Sequence, residues 1–155
     1  MSSGFVVSVN VNPGGGVPKH PVDGAMLGTG GVEGDKQNDL RYHGGPDRAV
    51  SIYSSERIQS LRREGHPINP GSTGENITIG GLDWNEIGPG KIVLIGEARI
   101  EITAPAVPCA TIKGCFMNEE FSRISEKRSP GWSRWYARVL DEARVSPNDT
   151  VTIQE

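Results

Sequence analysis

Apolar residues alternate with smaller or polar ones at Phe5, Val7, Val9 and Val11, the period of a strand with one buried face. The run 49–53 reads as a short buried strand. Ile77 and Ile79 begin another, broken by Gly80-Gly81. Segments 92–95 and 98–103 form a plausible hairpin about Gly96-Glu97, and 145–153 closes the chain as a strand around a Pro147-Asn148-Asp149 turn. Helical signals are fewer. Ser54-Ser55-Glu56 offers a serine cap followed by an acid, with Ile58 and Leu61 as the stripe and Gly65 as the stop. Two more helices are predicted over 116–125 and 132–140, separated by Ser129-Pro130-Gly131. On the second, Trp132, Trp135 and Tyr136 fall at helical spacing. They read either as core or rim packing or as a lid that stacks on a purine.

Composition sharpens this picture. The chain has 155 residues, with 21 glycines and 11 prolines dispersed and without period. Many tight turns between short apolar runs predict one mainly β domain over 1–155. A formal net charge of −3 argues against a nucleic-acid polymer as partner, though not against a local basic pocket. No apolar run reaches the roughly 18 residues of a membrane span. Met1-Ser2-Ser3-Gly4 carries no basic leader. A cytoplasmic protein without membrane attachment is the expectation.

Two cysteines are too few for a disulfide scaffold. Cys109 ends the run Glu101-Ile102-Thr103-Ala104-Pro105-Ala106-Val107-Pro108-Cys109. Pro105 and Pro108 are expected to stop the strand there, because proline donates nothing to a ladder. The thiol then sits on a stiff turn. A thiolate can ligate a soft metal or carry sulfur. The alternative is a small buried hydrophobe.

Several segments in order resemble the MOSC domain, the module named for the C-terminal part of molybdenum cofactor sulfurase. They are Gly15-Gly16-Val17-Pro18-Lys19, Gly34-Asp35-Lys36-Gln37, His43-Gly44-Gly45-Pro46-Asp47, Pro70-Gly71-Ser72-Thr73-Gly74-Glu75-Asn76, Gly81-Leu82-Asp83-Trp84, and Glu101 to the Pro108-Cys109 pair. The layout is similar to that of stand-alone bacterial members. One subgroup of these is associated with reduction of N-hydroxylated bases such as 6-hydroxylaminopurine. The resemblance implies a β-barrel-like fold with a few peripheral helices. It also implies the molybdenum cofactor (molybdopterin), and at family level an association with pyridoxal phosphate. Two positions depart from the pattern: Glu142 and Asn148 stand where turn glycines are common. Asn148 tolerates positive φ and Glu142 does so poorly.

On this resemblance Cys109 is the molybdenum ligand. The alternative is a sulfur-carrier or cofactor-delivery module with a persulfide on Cys109 and no turnover. Cys115 reads as structural, or as a thiol that resolves an oxidised Cys109. His43 donates to a metal-bound oxygen or acts as an acid, unless it merely fixes its loop. Lys19, Lys36, Arg41 and Arg138 are candidates for the cofactor's phosphate. Asn76 hydrogen-bonds pterin or substrate, or caps an Asx turn. Asp47 and Arg48 form an ion pair orienting their loop. The chain shows no flavin, haem or iron–sulfur motif, so a separate reductase supplies electrons to a small N-hydroxylated substrate.

Overall fold

A computed structural model describes residues 3–36 and 45–155. Its strands are β1 (Ser3–Val11), β2 (His20–Val22), β3 (Ala25–Gly28), β4 (Gly31–Val32), β5 (Val50–Ser54), β6 (Ile77–Gly80), β7 (Ile92–Ile95), β8 (Ala98–Ala106), β9 (Arg134–Asp141), β10 (Ala143–Val145) and β11 (Thr150–Gln154). The order β11-β7-β8-β9-β5-β6-β1 closes because β1 also pairs with β11, with Ser3 opposite Thr152. The result is a seven-stranded barrel, which leaves these strands no open edge along the closure. β2 extends from β1, and β10-β3-β4 form a separate small sheet. Inward-facing Ile52, Ile77, Ile79, Val93, Ile95, Ile100, Ile102 and Val151 fill the core. The fold is mainly β.

β5 and β6 run parallel, with Ile52 opposite Ile77. A parallel neighbour needs a crossover. Helix α1 (Ser55–Arg63) lies in that connection. The Ser54 hydroxyl accepts from the Arg57 N–H, Ile58 and Leu61 are buried, and Gly65 follows with φ 107°. These are the capping, stripe and stop read from the sequence.

Three expectations fail. Segment 132–140 is not a helix but β9, paired with both β8 and β5. Trp135, Ala137 and Val139 are buried while Arg138 is exposed, so the true period is two. The helical spacing of the aromatics was coincidental with this alternation. Segment 116–125 forms short 3-10 turns, Met117–Glu119 and Phe121–Ile124. Asn118 and Glu119 take positive φ, which an α-helix cannot carry. The third concerns Pro105, which does not stop β8. It pairs in register with Trp135. β7 pairs with β8 only as far as Glu101, so among the described residues Pro105 lies where β8 has a strand partner on one side, and a missing N–H is tolerated there.

Other details are finer. A register shift between Val6 and Ser8 of β1 buries Val6, Val9 and Val11 and leaves Phe5 exposed, against strict alternation. Asn148 has φ 76° and takes the role of a turn glycine. Glu142 is absent from the positive-φ positions and instead accepts the Thr29 N–H, so its turn needs no glycine.

Candidate functional site

At one end of the barrel, β1 and β8 finish while β5, β6 and β9 begin. A cavity of about 630 Å³ opens there. Its walls come from the loop after β1, the turn before β6, the starts of β5 and β9, and the chain beyond β8. Cys109 lines it. The residue is extended (φ −137°, ψ 173°) and precedes a 3-10 turn, Ala110–Cys115, whose Ile112 N–H reaches back to the Cys109 carbonyl. Sγ lies 2.8 Å from Thr111 Oγ1 and is partly exposed. Cys109 thus lies between the end of β8 at Ala106 and that 3-10 turn, the strand running further than Pro105.

Cys115 differs. It is half-buried, and its Sγ donates to the Ile112 carbonyl. Burial pushes its thiol up to about 11, with the nearby Glu75 carboxyl adding to the effect. Such a thiol is inert at neutral pH.

The predicted cations divide. Lys19 and Lys36 line the cavity. Lys19 is paired with Asp35, whose carboxylate also accepts from the Asn12 N–H and from Asn76 Nδ2. Arg138 lies elsewhere, in a second depression, bound to Asp47 at 2.9 Å and Glu101 at 3.3 Å. Asp47 is therefore held by Arg138, while Arg48 lies over the Tyr136 ring, 5.5 Å from its centroid. Arg41 and His43 lie outside the described residues.

Asn76 lines the cavity but is fully engaged within the protein. Its Oδ1 accepts from the Ser51 N–H and hydroxyl, and its Nδ2 donates to the Asn10 carbonyl and Asp35. It fastens β1, β5 and the turn before β6 to one another. Next to it, Glu75 is 0% exposed. Its carboxyl accepts from the Gly71 N–H and from the Thr73 and Thr78 hydroxyls. Burial nonetheless outweighs these bonds and raises its pKa. Gly71 must be glycine: its φ is 85°, and an added Cβ would lie 2.3 Å from the Lys19 carbonyl oxygen.

Sequence reasoning missed Arg134 and Thr111, which also line the cavity, as does Tyr136, expected as packing or as a lid over a purine. Arg134 and Tyr136 sit at the start of β9, which was read as a helix. A period-two reading of that segment would have put both on one face. Tyr136 is held protonated, chiefly by burial and further by the neighbouring Cys109. Four cations, Lys19, Lys36, Arg48 and Arg134, line the cavity with no carboxylate among the described lining residues. One of the four, Lys19, is already paired with Asp35.

The description "MOSC domain" fits residues 39–152 of the chain, most of its length. The chain belongs to the MOSC family. It is similar to the uncharacterized protein YflK of Bacillus subtilis (strain 168), with 35% identity over 137 residues covering 85% of this chain and 60% of YflK. It is similar also to protein YiiM of Escherichia coli (strain K12), at 29% identity over 90% of this chain and 67% of YiiM. The crystal structure of YiiM from Escherichia coli superposes with a TM-score of 0.72 at 26% identity, covering 98% of this chain and 70% of that one. A protein named "Reductase" from Gibberella moniliformis (strain M3125 / FGSC 7600) shares 27% identity over 81% of this chain, which spans 23% of that protein. The MOSC chain thus covers about three fifths of YflK's length. No helix among the described residues is long and apolar enough to cross a membrane.

Proposed function

We propose that this MOSC protein holds the molybdenum cofactor in the cavity at the barrel end and reduces small N-hydroxylated compounds such as 6-hydroxylaminopurine. One observation carries the reading: a partly exposed thiol shares its cavity with Lys36, Arg48 and Arg134, and with Lys19 in its pair with Asp35. A soft sulfur donor suits molybdenum, and the cations suit a phosphorylated ligand. The volume is that of a small-molecule site. These residues fit the group.

When bound, the cofactor supplies the redox chemistry that cleaves an N–O bond. Cys109 holds the metal, while Lys36 and the arginines hold the anionic part. Tyr136, kept neutral by burial, lines the same cavity as Cys109. Pro105, Val107 and Ile112 give the cavity an apolar wall. Electrons come from a separate reductase, and the setting is cytoplasmic. The name of the Gibberella moniliformis relative agrees with reductase chemistry. Pyridoxal phosphate gains no support from these matches, and no role is given to it.

The test is elemental analysis of protein made in a molybdate-supplied host, beside Cys109→Ser. The expected result is near-stoichiometric molybdenum that disappears in the variant, followed by turnover of 6-hydroxylaminopurine with an electron-donating reductase. Equal molybdenum in both proteins would overturn the role of Cys109. A metal-free protein with labile sulfur on Cys109 would establish the sulfur-carrier reading instead.

A further inference from the structure

Between the end of β8 and the start of β9 the chain runs over 107–133 as loop and 3-10 turns. This strap supplies Val107, Cys109, Thr111 and Ile112 to the cavity. Its own apolar anchors, Ile112, Phe116 and Ile124, are buried. The far end of α1 holds its middle. Arg123 donates to both oxygens of Glu64, at 3.0 and 2.9 Å. Two residues on, the His66 side chain is 3% exposed. Its Nδ1 accepts the Met117 N–H at 2.9 Å, and Phe116 packs edge-on at 5.2 Å. Asn118 and Glu119, directly after Met117, take φ of 56° and 58°. Positive φ costs a glutamate more than an asparagine, so the strap here depends on outside contacts for its shape.

An imidazole nitrogen that accepts a hydrogen bond carries no proton. The His66 proton is therefore on Nε2, 3.5 Å from Glu64 Oε1. A second proton would go to Nδ1, against the Met117 N–H. Two donors would then oppose each other, and the part-buried amide would lose its acceptor. Histidine is the side chain whose charge changes between about pH 5 and 8. Glu64 stays ionised beside Nε2 through that range, because the Arg123 bond holds its carboxyl below the usual values. The other charged groups on the packed elements are engaged elsewhere or exposed. Arg62 binds the Ile68 carbonyl and Asn69, and Arg63 binds the Ser60 hydroxyl. Lys113 pairs with Glu119 at 3.2 Å, and Glu120 is exposed. The Cys115 thiol is turned to the Ile112 carbonyl.

We propose that His66 is an acid-sensitive latch on the strap. Neutral, it fastens Met117 to the end of α1. Protonated, it turns to Glu64 alone, releases Met117 and loosens the strap, and with it the Thr111 and Ile112 wall of the cavity. The inference uses only the fold and does not rest on the cofactor reading.

The experiment is hydrogen exchange of the full chain at pH 5.5 and 7.5, read by mass spectrometry and corrected for the intrinsic rate at each pH. Peptides covering 112–124 are expected to exchange about tenfold faster at the lower pH, the effect of losing one buried hydrogen bond. Those of β1 and β6 serve as the internal reference and should change little. His66→Asn keeps an acceptor for Met117 but cannot titrate, so its strap should exchange alike at both pH values. The ratio is read within each protein, so a change in baseline stability does not confuse it. A second measurement needs no variant: imidazole 15N shifts should show Nδ1 bare and Nε2 protonated at pH 7.5. A strap indifferent to pH in wild type, the same acid response in His66→Asn, or a proton on Nδ1 at pH 7.5 would each overturn the proposal.

Discussion

Cys109 and Cys115 occupy one short segment yet differ in chemistry because they differ in surroundings. Cys109 opens to the cavity, whereas Cys115 is half-buried with its thiol raised to about 11. Iodoacetamide at pH 7.5 should therefore label Cys109 and leave Cys115 unmodified over the same interval, as peptide mass spectrometry would show. Cys115→Ser should keep full molybdenum content. Glu75 gives a pH signature at the same scale. Burial raises its pKa above the ordinary glutamate value of about 4.3. The folded state then binds the proton more tightly than the unfolded chain. That contribution to stability is complete below about pH 4.3 and is lost as pH rises through the folded value. Glu75→Gln can keep an acceptor for Gly71 and Thr78 and a donor toward Thr73. Urea unfolding should find wild type and variant within about 1 kcal/mol at pH 4, with the variant gaining on wild type as pH rises to 8. A difference independent of pH would mean that Glu75 does not titrate in this way.

Among the elements, the turn between β10 and β11 depends on Asn148 at φ 76°. Asn148→Gly should leave stability within about 0.5 kcal/mol, while Asn148→Val should cost about 1–2 kcal/mol in urea unfolding. The sequence made this turn legible because a short polar side chain is tolerated at positive φ, and the chain has Pro147 and Asp149 on either side. α1 was legible for a similar reason: its cap, stripe and stop are all local. β9 was not. Its alternation is masked by Arg134, which is polar yet buried, and by aromatics that suit either period. Only pairing with β5 and β8 decides it. The candidate site shows the same division. Cys109, Lys19 and Lys36 were visible in local motifs, but Arg134 and Tyr136 joined them through a strand that was misread. Arg138, the expected phosphate contact four places along β9, faces Asp47 and Glu101 instead of the cavity.

For the whole molecule, the barrel and the small sheet should differ in persistence. The barrel strands have partners on both sides along most of their length, whereas β10-β3-β4 is three short strands. Hydrogen exchange should protect amides of β1, β5 and β6 longest and release those of β3 and β4 sooner. Equal protection would indicate a single cooperative unit. The cavity draws on residues from Gly16 to Tyr136, so it exists only when the barrel is closed, and any ligand it holds will favour the closed barrel.

Among the described residues, β8 beyond Ile102 continues with β9 on one flank and no strand on the other, Ile102 itself still exchanging bonds with Gly90 and Lys91. An unpaired strand flank normally invites a strand from another molecule. Pro105 falls on this stretch and Pro108 just after it, and neither supplies an N–H. The approach to Cys109 can therefore stay wide enough for small molecules while offering a broken template for intermolecular sheet growth. Pro105 and Pro108, read in the sequence as the end of a strand, leave a poor template for sheet growth near Cys109.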